Sequence, residues 1–146
     1  MQESGKHNFV SADDLDGVQE ILLRQGIKPT SQRIEIAKVL LSKPQHLSAE
    51  QVLLLVNSSR DVVSKATVYN TLSLFVEKGL IKQVIIDPAK VFYDSNISSH
   101  FHFYNEDTGE LSDFDSIQLD FDPIPQLPEK TVKSGIDVIV RVKNKS

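Results

Sequence analysis

The stretch Ser64-Lys65-Ala66-Thr67-Val68-Tyr69-Asn70-Thr71-Leu72 decides how the rest of the chain is read. Ser64 is an N-cap residue, whose side-chain oxygen can accept an orphan N–H of a first helical turn. Val68, Leu72, Leu74, Phe75 and Val76 then recur at helical spacing, and Gly79 after Lys78 supplies a stop. Lys65, Thr67, Tyr69, Asn70 and Ser73 fall largely on the other side. Two β-branched stretches follow, Leu80 to Ile86 and Lys90 to Tyr93, joined as a hairpin by Asp87-Pro88-Ala89. A helix with one polar face directly ahead of a hairpin is the order of a winged helix, where that helix enters the DNA major groove.

Working outward, three helices precede this one. Residues 13–25 carry the stripe Leu15, Val18, Ile21 and Leu22, with Gly26 as a stop. Lys28-Pro29-Thr30 is a break, and Thr30 or Ser31 caps a second helix to about Ser42, ended by Pro44. Ser48-Ala49-Glu50-Gln51 has the capping-box pattern, so a third helix runs from near Ala49 to about Asn57, before the polar loop Ser58-Ser59-Arg60-Asp61. On the fourth helix, small residues at the start let the backbone approach a groove. Thr67, Tyr69 and Asn70 can reach base edges or thymine methyls, and Lys65 a phosphate. The same pattern also fits an ordinary solvated helix face.

With 146 residues, the chain fits one domain or two small ones sharing a core with a partner. No apolar run approaches the roughly 18–20 residues that span a bilayer. The polar, acidic start MQESGKHNFVSADD is unlike a signal or transit peptide, so a cytoplasmic protein is expected. There is no cysteine, which removes disulfides, thiolate zinc sites, thiol redox chemistry and cysteine nucleophiles together. Any metal must be held by nitrogen and oxygen. The net charge is −4 but uneven: Gly17 to Ile97 holds ten basic and seven acidic residues, Ser98 to Ser146 five and nine. The first part can face phosphates and the second can hold cations.

After the hairpin the pattern changes. Phe101–Tyr104 and Glu110–Phe114 read as strands around an Asp107-Thr108-Gly109 turn, and Val138–Val142 as a third. Pro123, Pro125 and Pro128 resist a long helix between them, leaving room for a short one from about Glu129 to Ser134. About 45 residues without a disulfide are too few for an independent core, so this part is expected to pair with its copy across a dimer. The expected fold is α+β: a winged-helix DNA-binding domain over 1–96 and a small α/β dimerisation and metal-sensing domain over 97–146.

Two of the four histidines lie in His100-Phe101-His102. In a strand, side chains alternate with period two, so both imidazoles share a face. Asp94, Glu106, Asp107, Glu110 and Asp113 crowd the neighbourhood. Imidazoles beside acidic oxygens make a socket for a divalent metal. A pair of surface histidines on a half-exposed strand fits the spacing as well.

Taken together, Lys28-Pro29-Thr30-Ser31-Gln32-Arg33, His46-Leu47-Ser48-Ala49-Glu50, Ala66-Thr67-Val68-Tyr69-Asn70-Thr71-Leu72 and His100-Phe101-His102 resemble the ferric uptake regulator superfamily, in its order and spacing and across nearly the whole chain. The resemblance implies a homodimeric, metal-sensing transcriptional repressor whose metal-bound form usually binds operator DNA. It implies a regulatory metal site of His46, Asp94, His100, His102 and Asp113, which uses every histidine except His7. Such a site would tie the winged helix to the dimerisation part and set the half-site spacing that two winged helices can match. Three imidazoles and two carboxylates suit Fe²⁺ or Mn²⁺, with Zn²⁺, Co²⁺ and Ni²⁺ also able to bind in vitro. For DNA, the resemblance assigns Lys28 to the minor groove or phosphates and Tyr69 to a thymine methyl. Asn70 stands where many members carry arginine. Family operators tend to be AT-rich inverted repeats.

Two departures narrow the branch. Most members hold a structural zinc with paired Cys-x-x-Cys motifs; the first pair would fall at Asn105 and Thr108, so no structural four-cysteine zinc is expected. Cysteine-free branches include iron-response regulators and some peroxide-sensing repressors. Asp113 resembles the peroxide sensors, where iron and peroxide oxidise a ligand histidine and release DNA. Phe101 interrupts the histidine run of haem-responsive members, and their Cys-containing motif is absent. The implied targets are iron-homeostasis or peroxide-stress genes. A rival reading is a small non-haem iron enzyme using the His-x-His and carboxylate groups. It leaves the polar fourth helix, the hairpin and the Lys28 break without a job.

Overall fold

The computed structural model describes residues 9–60, 62–98, 100–115 and 124–146, and the chain divides into two units, Met1–Ser98 and Ser99–Ser146. The first unit runs α1 (Leu15–Arg24), α2 (Ser31–Leu40), β1 (His46–Leu47), α3 (Ala49–Val56), α4 (Lys65–Glu77), β2 (Lys82–Asp87) and β3 (Lys90–Asp94). Each helix starts where a side chain satisfies an orphan N–H three residues on. Asp14 accepts from Gly17, Thr30 from Arg33, Ser48 from Gln51 and Ser64 from Thr67. Thr30, rather than Ser31, is thus the cap of α2. At Ser48 the reciprocal bond is also made, with the Ser48 N–H donating to Gln51 Oε1 at 2.8 Å. Beyond the ends of α1 and α4, Gly26 and Gly79 take φ of 76° and 77°, the left-handed turn that a side chain would strain.

The helices bury one stripe each around a common core that includes Val18, Leu22, Ile36, Leu40, Val52, Val68, Leu72 and Phe75. On α4 the fully inward set is Val68, Thr71, Leu72 and Phe75, spaced i, i+3, i+4, i+7. Leu74 and Val76, expected to point inward, are only partly buried at the core's margin, and Thr71 takes an interior place. Their angular offset from the Val68–Phe75 line accounts for this. Asn57 organises the loop before α4, its Oδ1 accepting from the Val62 and Val63 N–H groups and its Nδ2 donating to the Val63 carbonyl.

The first sheet has the order β1-β3-β2, all antiparallel. The β2–β3 hairpin matches the expected wing. β1 has no counterpart in the sequence reading, because two residues between Pro44 and Ser48 carry no readable period. It pairs Leu47 with Tyr93 and His46 with Asp94. Leu47 and Tyr93 both enter the hydrophobic core, and because a one-residue slip would turn them out, this face fixes the register.

The second unit is a sheet of order β5-β4-β6, with β4 at His100–Asn105, β5 at Leu111–Asp115 and β6 at Ile139–Val142. β4 and β5 form an antiparallel hairpin, and β6 lies parallel to β4. Asn105 Oδ1 accepts from the Asp107 and Thr108 N–H groups and so shapes the turn. On the face away from the histidines, Phe114 packs edge-on to Phe101 and tilted against Phe103, at centroid distances of 5.9 and 4.7 Å.

The short helix for which the sequence leaves room from about Glu129 to Ser134 does not form; residues 129–130 make a turn and 131–138 are irregular. Thr131 Oγ1 donates back to the Pro128 carbonyl at 2.6 Å, a local bond that competes with a helical one. Val132 is 88% exposed, so no buried stripe repays nucleation. His7, Asp61 and Pro123 lie outside the described residues. No helix among the described residues is long and apolar enough to cross a membrane.

Candidate metal centre and nucleic-acid face

In the first unit the β1–β3 pairing sets His46 opposite Asp94, with Nε2 of His46 3.4 Å from Oδ2 of Asp94. The Asp94 side chain is 1% exposed. Burying a carboxylate costs several kcal/mol unless positive charge and hydrogen bonds compensate. One compensation is visible: Oδ1 accepts from the Asn96 N–H at 2.8 Å. That bond orients the carboxylate so that Oδ2 faces His46. The sequence reading misses Asn96, although Asp-x-Asn after a strand is a recognisable Asx-turn signal.

In the second unit, strand alternation places His100 and His102 on one face of β4, their rings 4.7 Å apart. Asp113 on β5 is the cross-strand partner of His102. Its Oδ1 lies 3.4 Å from Nε2 of His102 and 3.6 Å from Nε2 of His100. Both imidazoles are nearly buried while Asp113 is partly exposed. The other acids of this stretch have different work. Glu106 faces Arg141 at 3.8 Å, and Asp107 Oδ2 accepts from the Asn144 N–H.

These separations test whether the residues fit a metal. Nitrogen and oxygen donors about 2.0–2.2 Å from one ion stand roughly 3.0–3.5 Å from each other around it. The 3.4–3.6 Å spacings lie at the upper edge of that range, and are wider than the roughly 2.7–3.2 Å of a good N–H···O bond. One donor atom each from His100, His102 and Asp113 lies within 4.8 Å of the others. The donor set, imidazole and carboxylate without thiolate, suits Fe²⁺, Mn²⁺ or Zn²⁺.

On α4, Lys65, Tyr69, Asn70 and Ser73 are exposed, opposite the buried stripe. The Lys65 Nζ sits 6.0 Å from the Tyr69 ring centroid, one turn along, at the outer reach of a cation–π contact. Thr67 differs from its neighbours: it is half-buried, and its Oγ1 accepts from the Ser64 hydroxyl at 3.0 Å. Lys28 is exposed, and its carbonyl accepts from Arg33 Nη1 at 3.0 Å, which clips the Lys28-Pro29 break onto α2. The ends of α1 and α4 are tied by Gln25 Nε2 donating to the Lys78 carbonyl at 2.9 Å.

Known proteins are similar to this chain in sequence and fold. The model of the ferric uptake regulator family matches residues 24–137. The peroxide operon regulator of Bacillus subtilis is 32% identical over 111 residues, 76% of this chain and 77% of that protein. The peroxide-responsive repressor PerR of Staphylococcus epidermidis is 30% identical over 99 residues; the match spans 68% of this chain and 66% of that repressor. The structure of the ferric uptake regulator from Pseudomonas aeruginosa with manganese aligns over 88% of this chain and 98% of its own, with a TM-score of 0.66 and 25% identity. With a family match over most of its length, and a winged helix and small sheet of the same fold, the chain belongs to the ferric uptake regulator family.

Proposed function

We propose that one divalent cation held by His46, Asp94, His100, His102 and Asp113 controls operator binding by this regulator. As a family member the chain is a metal-dependent transcriptional repressor of the iron and peroxide class, and it is not an enzyme. Residues 1–96 act as the DNA-binding domain and 97–146 as the dimerisation and sensing domain of a cytoplasmic homodimer. Lys65, Thr67, Tyr69 and Asn70 address the major groove, and Lys28 meets phosphate or the minor groove. An AT-rich inverted repeat suits two such helices related by a two-fold axis.

The observation that carries the reading is Asp94. A carboxylate with 1% exposure, aimed at an imidazole and steadied by the Asn96 N–H, is poised for a cation. A bound Fe²⁺ or Mn²⁺ supplies the positive charge that the carboxylates and imidazoles share. His46 and Asp94 hold their end on the wing's sheet, and His100, His102 and Asp113 hold theirs on β4 and β5. Peroxide sensing is the favoured signal, supported by the named function of the Bacillus and Staphylococcus relatives.

Operator binding in Fe²⁺, Mn²⁺ and Zn²⁺, with and without hydrogen peroxide, tests this. The wild type should bind in Fe²⁺ or Mn²⁺, and the His100→Ala, His102→Ala double variant should not. Metal-dependent binding that survives in the double variant sinks the assignment. Mass spectrometry of the iron-loaded protein after peroxide should show added oxygen on a peptide carrying His46, His100 or His102. An unmodified protein that still binds DNA after peroxide would point to iron sensing instead.

A further inference from the structure

β1 is too short to hold itself. Two residues make one or two ladder rungs, yet the placement of His46 against Asp94 depends on them. The next rung outward is Gln45 against Ser95, and there the ladder changes partner. The Ser95 N–H donates to the Gln45 carbonyl at 3.1 Å, as in an ordinary pair. The Gln45 N–H, however, donates to the Ser95 hydroxyl at 3.1 Å, and that hydroxyl donates on to the Lys43 carbonyl at 3.0 Å. Ser95 is 3% exposed, so its hydroxyl both accepts and donates inside the protein. The Gln45 side chain then reaches the other way: Nε2 donates to the Val39 and Leu40 carbonyls at 2.8 and 3.3 Å. These belong to the last turn of α2, whose carbonyls lack helical partners.

We propose that Ser95 and Gln45 are positioning residues for the cation site, tying the His46 strand to the end of β3 and to α2. The proposal rests on His46 and Asp94 being ligands. Neither Ser95 nor Gln45 offers its side chain to the cation; both act through the backbone that carries His46. Without the Ser95 hydroxyl, the Gln45 N–H and the Lys43 carbonyl each lose a buried partner. The strand end is then released, and His46 can leave the position opposite Asp94. Loss of such outer contacts costs a metal site about 10- to 100-fold in affinity.

The test is Mn²⁺ titration of the full chain, reading free Mn²⁺ by electron paramagnetic resonance, alongside the melting temperature of the metal-free protein. Ser95→Ala should weaken Mn²⁺ binding by roughly 10- to 100-fold, and Ser95→Thr, which keeps the hydroxyl, should bind near the wild-type level. Because Ser95 acts through His46, adding Ser95→Ala to His46→Ala should weaken binding no further. Should Ser95→Ala fail to fold, Gln45→Glu serves: it removes the donor to α2, leaves the Ser95 contacts in place, and should weaken Mn²⁺ up to about tenfold. Unchanged Mn²⁺ affinity with a lowered melting temperature would mean a merely structural role and overturn the proposal. So would losses that multiply in the double variant. If His46→Ala itself leaves Mn²⁺ affinity intact, the ligand assignment falls first and this proposal with it.

Discussion

The two units hold their histidines and acids in different ways. In the first, Asp94 and His46 sit on the margin of a hydrophobic core, and Leu47 and Tyr93, next to them in sequence, are part of that core. In the second, β4 and β5 bury Phe101, His102, Tyr104 and Leu111, and β6 buries nothing fully. His46 and Asp94 inherit their geometry from a packed domain. Among the described residues, His100, His102 and Asp113 rest on a thin sheet, so their order depends more on whatever cation or second copy the sheet meets. The histidine face of β4 is therefore the softer half, and the wing's sheet the harder one.

The harder half should fail only when its core fails. Phe75→Ala removes a wholly buried ring from the centre of that core, and a loss of about 3–5 kcal/mol in unfolding free energy is expected. Denaturant unfolding measures it, and a loss under about 1 kcal/mol would mean that Phe75 does not anchor this core. The softer half should respond instead to metal. Mn²⁺ at about a hundred times its Kd should raise unfolding free energy by about 2.7 kcal/mol. Hydrogen exchange should show the added protection concentrated in β4 and β5 and in the residues flanking Asp94. Protection confined to the first unit would contradict the contrast between the halves.

That contrast also explains what can be read without coordinates. The helices are legible because their signals are local: a Ser or Thr cap three residues from an N–H for α2, α3 and α4, and for α1 an apolar stripe closed by Gly26, its Asp14 cap going unread. The shared face of His100 and His102 is legible for the same reason, since period two needs no distant partner. β1 is illegible because only its pairing with β3, far along the chain, makes it a strand. The burial of Asp94 and the roles of Gln45 and Ser95 follow from that pairing, so no local pattern announces them. The stretch Glu129 to Ser134 shows the opposite case. Its composition permits a turn of helix, but nothing among the described residues buries a face of it, and local permission without packing makes no helix.

The DNA face can be separated from both halves. Tyr69→Ala removes an exposed ring from α4 while leaving every proposed ligand untouched. Operator affinity should fall about tenfold, in the range of one lost base contact, with Mn²⁺ affinity unchanged. An equal fall on operator and random DNA would show that the ring contributes no sequence readout.

The smallest expected effect concerns Lys65. Its ammonium lies 6.0 Å from the Tyr69 centroid, so it has two candidate roles: a phosphate contact, or a brace for the tyrosine ring. They predict different signatures. A phosphate contact releases about one counterion, so Lys65→Ala should shallow the salt dependence of operator binding by about one unit of slope and weaken all sequences alike. A brace should leave the slope alone, cost specific binding more than random binding, and vanish in the Tyr69→Ala background. The ring contact is at the edge of useful range on an exposed helix, where such pairs contribute at most about 1 kcal/mol. A phosphate at the groove wall offers the same ammonium a full opposite charge. The change in slope is therefore the expected result, and it would place Lys65 on the backbone and leave the reading of bases to Tyr69 and Asn70.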